Sequence, residues 1–215
     1  MVSMEEISQA LQKGKAKIVQ ELVQQALDEG VSAKTVLEEG LLAGMDVIGV
    51  KFKNNEVYIP EVLIAARAMN AGTTVLKPYL NESGEAAIGK AVIGTVKGDL
   101  HDIGKNLVRM MLEGKGIEVI DLGVDVSAEQ FLDAYQKEHP DIIGCSALLT
   151  TTMSEMKNVV NAFEAAGVRD KVTIMIGGAP VTEAFCQSIG ADIYTPDAAS
   201  AAEAAKQVLT NKHNA

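Results

Sequence analysis

The chain has 215 residues and a formal net charge of −10, with 47% apolar and 22% charged residues. That balance is ordinary for a globular protein and excludes a disordered, a collagen-like or a disulfide-framed chain, while the acidity argues against a nucleic-acid partner. Aromatic residues are only 4%, with no tryptophan, against 19 glycines, so backbones can approach one another or a large flat ligand unusually closely.

The length predicts one or two domains. The N-terminal MVSMEEISQALQKGKAK has no apolar core of signal-peptide length. No window reaches the roughly 18 apolar residues of a membrane span. A cytoplasmic protein without a membrane partner is therefore expected. Cys145 and Cys186 form no CxxC pair and read as small buried hydrophobes in a reducing compartment.

Up to about residue 80 the apolar residues recur at helical spacing. Ile18, Leu22, Ala26 and Leu27 share a face, as do Leu37, Leu41, Met45 and Ile48. Val62, Leu63, Met69, Leu76 and Leu80 predict a longer helix whose first turn accommodates Pro60. Gly30 reads as a helix stop and Ser32 as an N-cap. Short connections favour antiparallel neighbours, so this half reads as a four-helix bundle. Lys13, Lys15 and Lys17 read as a solvated helix face.

Residues 81–90, NESGEAAIGK, are polar and carry neither period. They place a boundary between a helical domain, 1–88, and a second domain, 89–215.

Beyond residue 90, short β-rich runs alternate with helical ones. Strands are predicted at 91–96, 117–122, 141–146, 172–176 and 191–194, and helices near 103–114, 127–138, 153–166, 180–189 and 197–209. Ser127 with Gln130 is a capping-box start, and Met110-Met111 packs a helix into the core. Continuous apolar strands separated by helices indicate a flavodoxin-like, doubly wound, parallel five-stranded α/β sheet. Its ligand belongs at the carboxyl ends of the strands.

Three loops at that edge carry chemistry. The first, Gly98-Asp99-Leu100-His101-Asp102-Ile103-Gly104, lacks the spacing of a phosphate cradle. Asp99, two residues before His101, can curl back to one ring nitrogen, orienting the ring and raising the basicity of the other. That suits a metal ligand or a general base; a loop histidine bonded to a nearby aspartate and binding nothing is the plainer alternative. One histidine cannot build a zinc site, and His139 and His213 read as exposed. A metal at His101 must bring its other ligands, as in a macrocycle. The third strand ends in Ser146-Ala147-Leu148-Leu149-Thr150-Thr151-Thr152, more hydroxyls than a helix cap needs. The fourth ends in Gly177-Gly178-Ala179-Pro180, a tight turn or a passage for a bulky group.

Asp99-x-His101-x-x-Gly104, Ser146-x-Leu148 and Gly177-Gly178 together resemble the DxHxxG…SxL…GG signature of cobalamin-binding domains. TVKGDLHDIGKN is similar to cobalamin-dependent methionine synthase, and MDVIGVKF and YIPEVLIAARAM extend the resemblance into the helical half. With no catalytic barrel, the layout resembles the free-standing corrinoid proteins of methyltransferase systems.

The resemblance implies a cofactor, cobalamin (methylcobalamin and cob(I)alamin) or a related corrinoid, bound base-off. His101 would be the lower axial ligand to cobalt and Asp99 would bond its other nitrogen, with Thr152 at the position that extends the relay. Ser146 and Thr150 would contact the displaced nucleotide tail, Leu148 would line its slot, and Gly177 and Gly178 would leave it room. Gly104 would permit the turn beneath the corrin. Phe52, flanked by Lys51 and Lys53, and Ile59 would cap the upper face, with 81–90 as hinge. No residue is expected to be catalytic by itself. The implied partners are a substrate-specific corrinoid methyltransferase for a methylated amine, betaine, methanol or methoxylated aromatic, a second methyltransferase with a folate or thiol acceptor, and a reductive activation protein. A cobalamin-binding sensor module or the small subunit of an adenosylcobalamin mutase is the alternative.

Overall fold

A computed structural model of the chain describes residues 2–83 and 87–213. It resolves into two compact units. One holds the residues up to Ala87 with Gly114–Gly116; the other holds Ile88–Glu113 and the residues from Ile117 onward.

The first unit is helical. Helix α1 (Met4–Gln12) opens with a capping box in which Ser3 and Glu6 satisfy each other's backbone N–H groups. Helix α2 (Ala16–Asp28) is followed by Gly30 at φ +85°, and Ser32 then caps α3 (Ala33–Thr35) by accepting the Thr35 N–H at 3.0 Å. The chain continues through a π-helical stretch, Val36–Leu42, into α4 (Ala43–Lys53); no spacing in the sequence signals that change of pitch. Helix α5 (Ile59–Ser83) is the longest, so the described residues form four rods.

Two expected faces are displaced. The buried stripe of α2 is Val19, Val23 and Ala26, with Ile18 exposed; that of α5 runs through Val62, Ala65, Ala66, Ala68, Met69 and Leu76, with Leu63 exposed. Stepping three or four residues from Val19 and from Val62 reproduces both stripes, and the adjacent apolar residues turn outward. The side chain of Leu80 lies outside the described residues. Close approach replaces aromatic filling here: a Cβ on Gly44 would stand 3.1 Å from the Ser8 Cα.

The stretch read as a linker, 81–90, is helical to Ser83 and already strand at Lys90. Its centre, 84–86, and with it the expected hinge, lies outside the described residues.

The second unit is a five-stranded, wholly parallel sheet in the order β2-β1-β3-β4-β5. Its strands are β1 (Lys90–Thr95), β2 (Glu118–Asp121), β3 (Ile142–Ser146), β4 (Thr173–Gly177) and β5 (Ile193–Tyr194). The helices between and after them are α6 (Ile103–Glu113), α7 (Ala128–Glu138), α8 (Met153–Ala165), α9 (Glu183–Ile189) and α10 (Ala198–His213). Ser127 makes its capping box with Gln130. Helix α9 begins three residues later than expected, because Thr182 caps it through the Phe185 N–H and leaves Pro180 and Val181 in the loop. A 3₁₀ turn, Arg169–Lys171, precedes β4.

The register aligns Thr95, Ser146 and Gly177 at the carboxyl edge, and Ile93, Gly144 and Met175 two residues deeper. Val92, Ile143, Cys145, Ile174 and Ile176 point to the opposite face, in one core with Phe131, Met156 and Phe163. Both cysteines are free and buried, and burial pushes the Cys145 thiol up to about 12. Among the described residues no helix is long and apolar enough to cross a membrane.

Candidate functional site

The site is built on the loop after β1. Gly98 takes φ +78°, which a side chain disfavours, and turns the chain so that Asp99 points under the strand ends. Asp99 is completely buried. Its Oδ1 accepts the His101 N–H at 3.1 Å and lies 2.7 Å from His101 Nδ1. Its Oδ2 accepts the backbone N–H groups of Leu148 at 2.8 Å and Leu149 at 3.2 Å, and the Thr152 hydroxyl at 2.9 Å. Burial alone would raise this carboxyl. The bonds from the His101 ring and N–H, from Leu148 and from Thr152 outweigh it and hold Asp99 well below the usual carboxylate range.

An anionic carboxylate has no proton to give, so Nδ1 of His101 carries the hydrogen between them, and Nε2 is the ring nitrogen turned away from Asp99. The ring is half exposed. The buried Thr95 fixes the backbone beneath it, its hydroxyl donating to the His101 carbonyl at 2.8 Å.

Thr152 occupies the N-cap position of α8 but makes no side-chain cap bond. Its hydroxyl is committed to Asp99, with the Leu149 carbonyl oxygen also 2.9 Å away. The structure therefore joins Asp99, His101 and Thr152 in one hydrogen-bonded line. Thr150 stands apart from it, exposed and outside the adjoining cavity.

That cavity, about 600 Å³, runs down between the sheet and helices α6 and α10. Of the residues singled out in the sequence, it gathers His101, Gly104, Ser146, Leu148, Gly177 and Gly178. Gly178, at φ +135°, is irreplaceable: a Cβ there would lie 1.8 Å from the Ala147 carbonyl oxygen. A Cβ on Gly177 would meet nothing within 4 Å, so its smallness keeps open space open. Gly104 corrects an expectation. It lies in the first turn of α6 outside the left-handed region, so it eases no turn; the strained turn belongs to Gly98, and Gly104 leaves room beside the cavity. Phe52, half-buried at the end of α4, and Ile59, 41% exposed at the start of α5, belong to the helical unit.

Sequence reasoning missed several residues here. Leu100 and Ile103, 72% and 75% exposed, flank His101 and make an apolar platform around the ring. Two large aliphatic side chains in an otherwise polar loop were the available signal. Lys105 is buried on α6 and paired with Asp121 at the end of β2, a contact that no local pattern announces.

The donor set restricts what the site can hold. Among the described residues no three His, Cys, Asp or Glu side chains gather to bind a metal ion. One oriented imidazole, an apolar platform and a deep slot floored by glycine fit a metal that arrives in a planar macrocycle with an appended tail.

Comparison with known proteins reaches the same class. Models of the B12 binding domain match residues 89–206 and, in a second form, residues 4–77. The chain therefore belongs to the B12-binding family of corrinoid proteins. It is 39% identical to a corrinoid protein of Desulfitobacterium hafniense, over 97% of this chain and 98% of the relative. It is 40% identical to the dimethylamine corrinoid protein of Methanosarcina barkeri, over 96% and 97%. A chain of the crystal structure of the methanol:cobalamin methyltransferase complex of Methanosarcina barkeri superposes with a TM-score of 0.85 at 32% identity, covering 95% of this chain and 78% of that one.

Proposed function

We propose that this protein carries methyl groups on a base-off corrinoid whose lower axial ligand is His101. The observation that supports the reading is the Asp99 clamp. It holds the hydrogen on Nδ1 and leaves Nε2 as the nitrogen available at the mouth of the cavity, where among the described residues no three His, Cys, Asp or Glu side chains gather to hold a metal ion. When bound, the cobalt of the corrinoid supplies the centre that accepts a methyl group and gives it up.

The chain's own residues supply the rest. Asp99, kept anionic by Leu148, Leu149 and Thr152, orients the imidazole and tunes how strongly Nε2 donates. Leu100 and Ile103 exclude water around the ring. Gly177, Gly178 and Ser146 shape the slot for the nucleotide tail, and Leu148 lines it.

The protein works in the cytoplasm between two methyltransferases. The first takes its methyl group from a methylated amine, as the names of several relatives suggest; betaine, methanol and methoxylated aromatics complete the donor panel. The second passes the methyl group to a folate or thiol, and a reductive activation protein restores the carrier after accidental oxidation.

The test uses the full chain labelled with ¹⁵N, reconstituted with hydroxocobalamin and reduced to cobalt(II). Electron-spin-resonance hyperfine splitting must report a ¹⁵N donor from the protein, and His101→Ala must lose it while cobalt remains bound. A colourless, cobalt-free protein, or splitting unchanged in His101→Ala, would overturn the reading.

A further inference from the structure

We propose that Asp125 is a positioning residue for the axial ligand: paired with Gly98, it holds the loop that presents His101. The proposal rests on the reading of His101 given above.

Asp125 lies in the connection between β2 and α7, at φ +55°. Side chains disfavour that left-handed region, and aspartate and asparagine tolerate it best. Two reciprocal hydrogen bonds join it to the His101 loop. Its backbone N–H donates to the Asp99 carbonyl at 3.0 Å, and its Oδ1 accepts the Gly98 N–H at 2.7 Å. Gly98 is itself left-handed, at φ +78°. A Cβ there would meet only Thr152 Cγ2, at an ordinary 3.6 Å, so the backbone angle demands the glycine. Two left-handed residues in the loops that follow neighbouring strands thus brace each other.

The side chain of Asp125 is exposed, so packing does not explain it. What it contributes is the carboxylate's bond to Gly98. The loop needs that support, because Leu100, His101, Asp102 and Ile103 are all exposed and build no core of their own. Asp99 is held at both ends: its carboxylate grips the imidazole while its carbonyl is gripped by Asp125. The same β2–α7 connection also begins at Asp121, the partner of Lys105 on α6. It therefore brackets the ligand loop on either side of His101. A metal ligand is effective only if the structure behind it fixes its position, and Asp125 supplies that fixation from another loop.

Two variants separate the backbone from the carboxylate. Asp125→Gly keeps the left-handed angle without strain and deletes the acceptor; Asp125→Asn keeps an acceptor oxygen and the tolerance for that angle. In the full chain without cofactor, hydrogen exchange at the Gly98 amide should accelerate about tenfold in Asp125→Gly, the worth of one hydrogen bond to a charged group. It should stay close to the parent in Asp125→Asn. In the cobalt(II) protein, the ratio of histidine-bound to histidine-free cobalt should fall by about the same factor in Asp125→Gly alone. Unchanged Gly98 exchange or unchanged histidine coordination in Asp125→Gly overturns the proposal, as does an Asp125→Asn variant equally impaired. If the parent protein shows no histidine coordination, the axial-ligand reading fails, and exchange in the cofactor-free chain still decides whether Asp125 holds the loop.

Discussion

The two faces of the sheet share the same strands and the same alternation of side chains, yet one is filled and the other is hollow. On the filled face Val92, Ile143, Ile174 and Ile176 pack with Phe131 and Phe163, two of the four phenylalanines in the chain. A Cβ on Gly94 would stand 2.8 Å from the Phe131 ring, so even the glycine on that face is there to seat an aromatic. On the hollow face Gly144, Ser146 and Gly177 occupy the positions where matching side chains would complete a core, and a cavity of about 600 Å³ remains. One face supplies the stability that allows the other to stay open. The aromatics of this unit are therefore unevenly placed: Phe131 and Phe163 are buried on the filled face, and Tyr194 lines the cavity.

Substitutions on the two faces should break this pairing in opposite ways. Phe131→Ala removes a fully buried ring from the filled face and should cost about 3–5 kcal/mol by chemical denaturation. The fraction that remains folded should still bind cobalamin one to one. Loss of binding without loss of stability would show that the faces are not independent. Gly177→Val makes the complementary change. Its side chain enters open space, so stability should move by less than about 1 kcal/mol. Cobalamin affinity should fall about tenfold or more, because the bound state alone is overpacked. A spectrophotometric titration checks it, and undiminished affinity would place the nucleotide tail elsewhere.

The filled face was legible in the sequence, and only half of the site was. A parallel strand covered on both sides reads as a continuous apolar run, so β1, β3 and β4 were visible from composition alone. Their ends were less so. Val96 is as apolar as its neighbours but leaves the ladder for a single bridge to Val126, which only the position of the next strand determines. Asp99 and His101 could be paired because they lie only two positions apart. Among the hydroxyls after β3, nothing local distinguishes Thr152, whose partner Asp99 lies 53 residues away. Asp125 was invisible for a related reason: its meaning depends on a backbone angle and on a loop 27 residues distant. Ile18 and Leu63 show the converse, since a folded protein keeps many apolar side chains in water.

The smallest expected effect concerns the cysteines. Burial raises the Cys145 thiol from its ordinary 9.0 to about 12, and burial with the nearby Glu183 and Asp192 raises Cys186 to about 11. A raised value means that the folded state holds its proton where the unfolded chain has lost it. The stability this contributes is complete below pH 9 and is lost as the pH climbs towards the folded values. Each thiol can steepen that decline by at most about 1.4 kcal/mol per pH unit. Urea denaturation at several pH values above 9 should therefore show a shallower fall in Cys145→Ala than in the parent. Cys145 borders the cavity but is buried in the core of the filled face, so cobalamin should leave that difference in slope unchanged. A difference that shrinks when cobalamin is bound would mean that the ligand is felt through the sheet, and the two faces would then have to be treated as one.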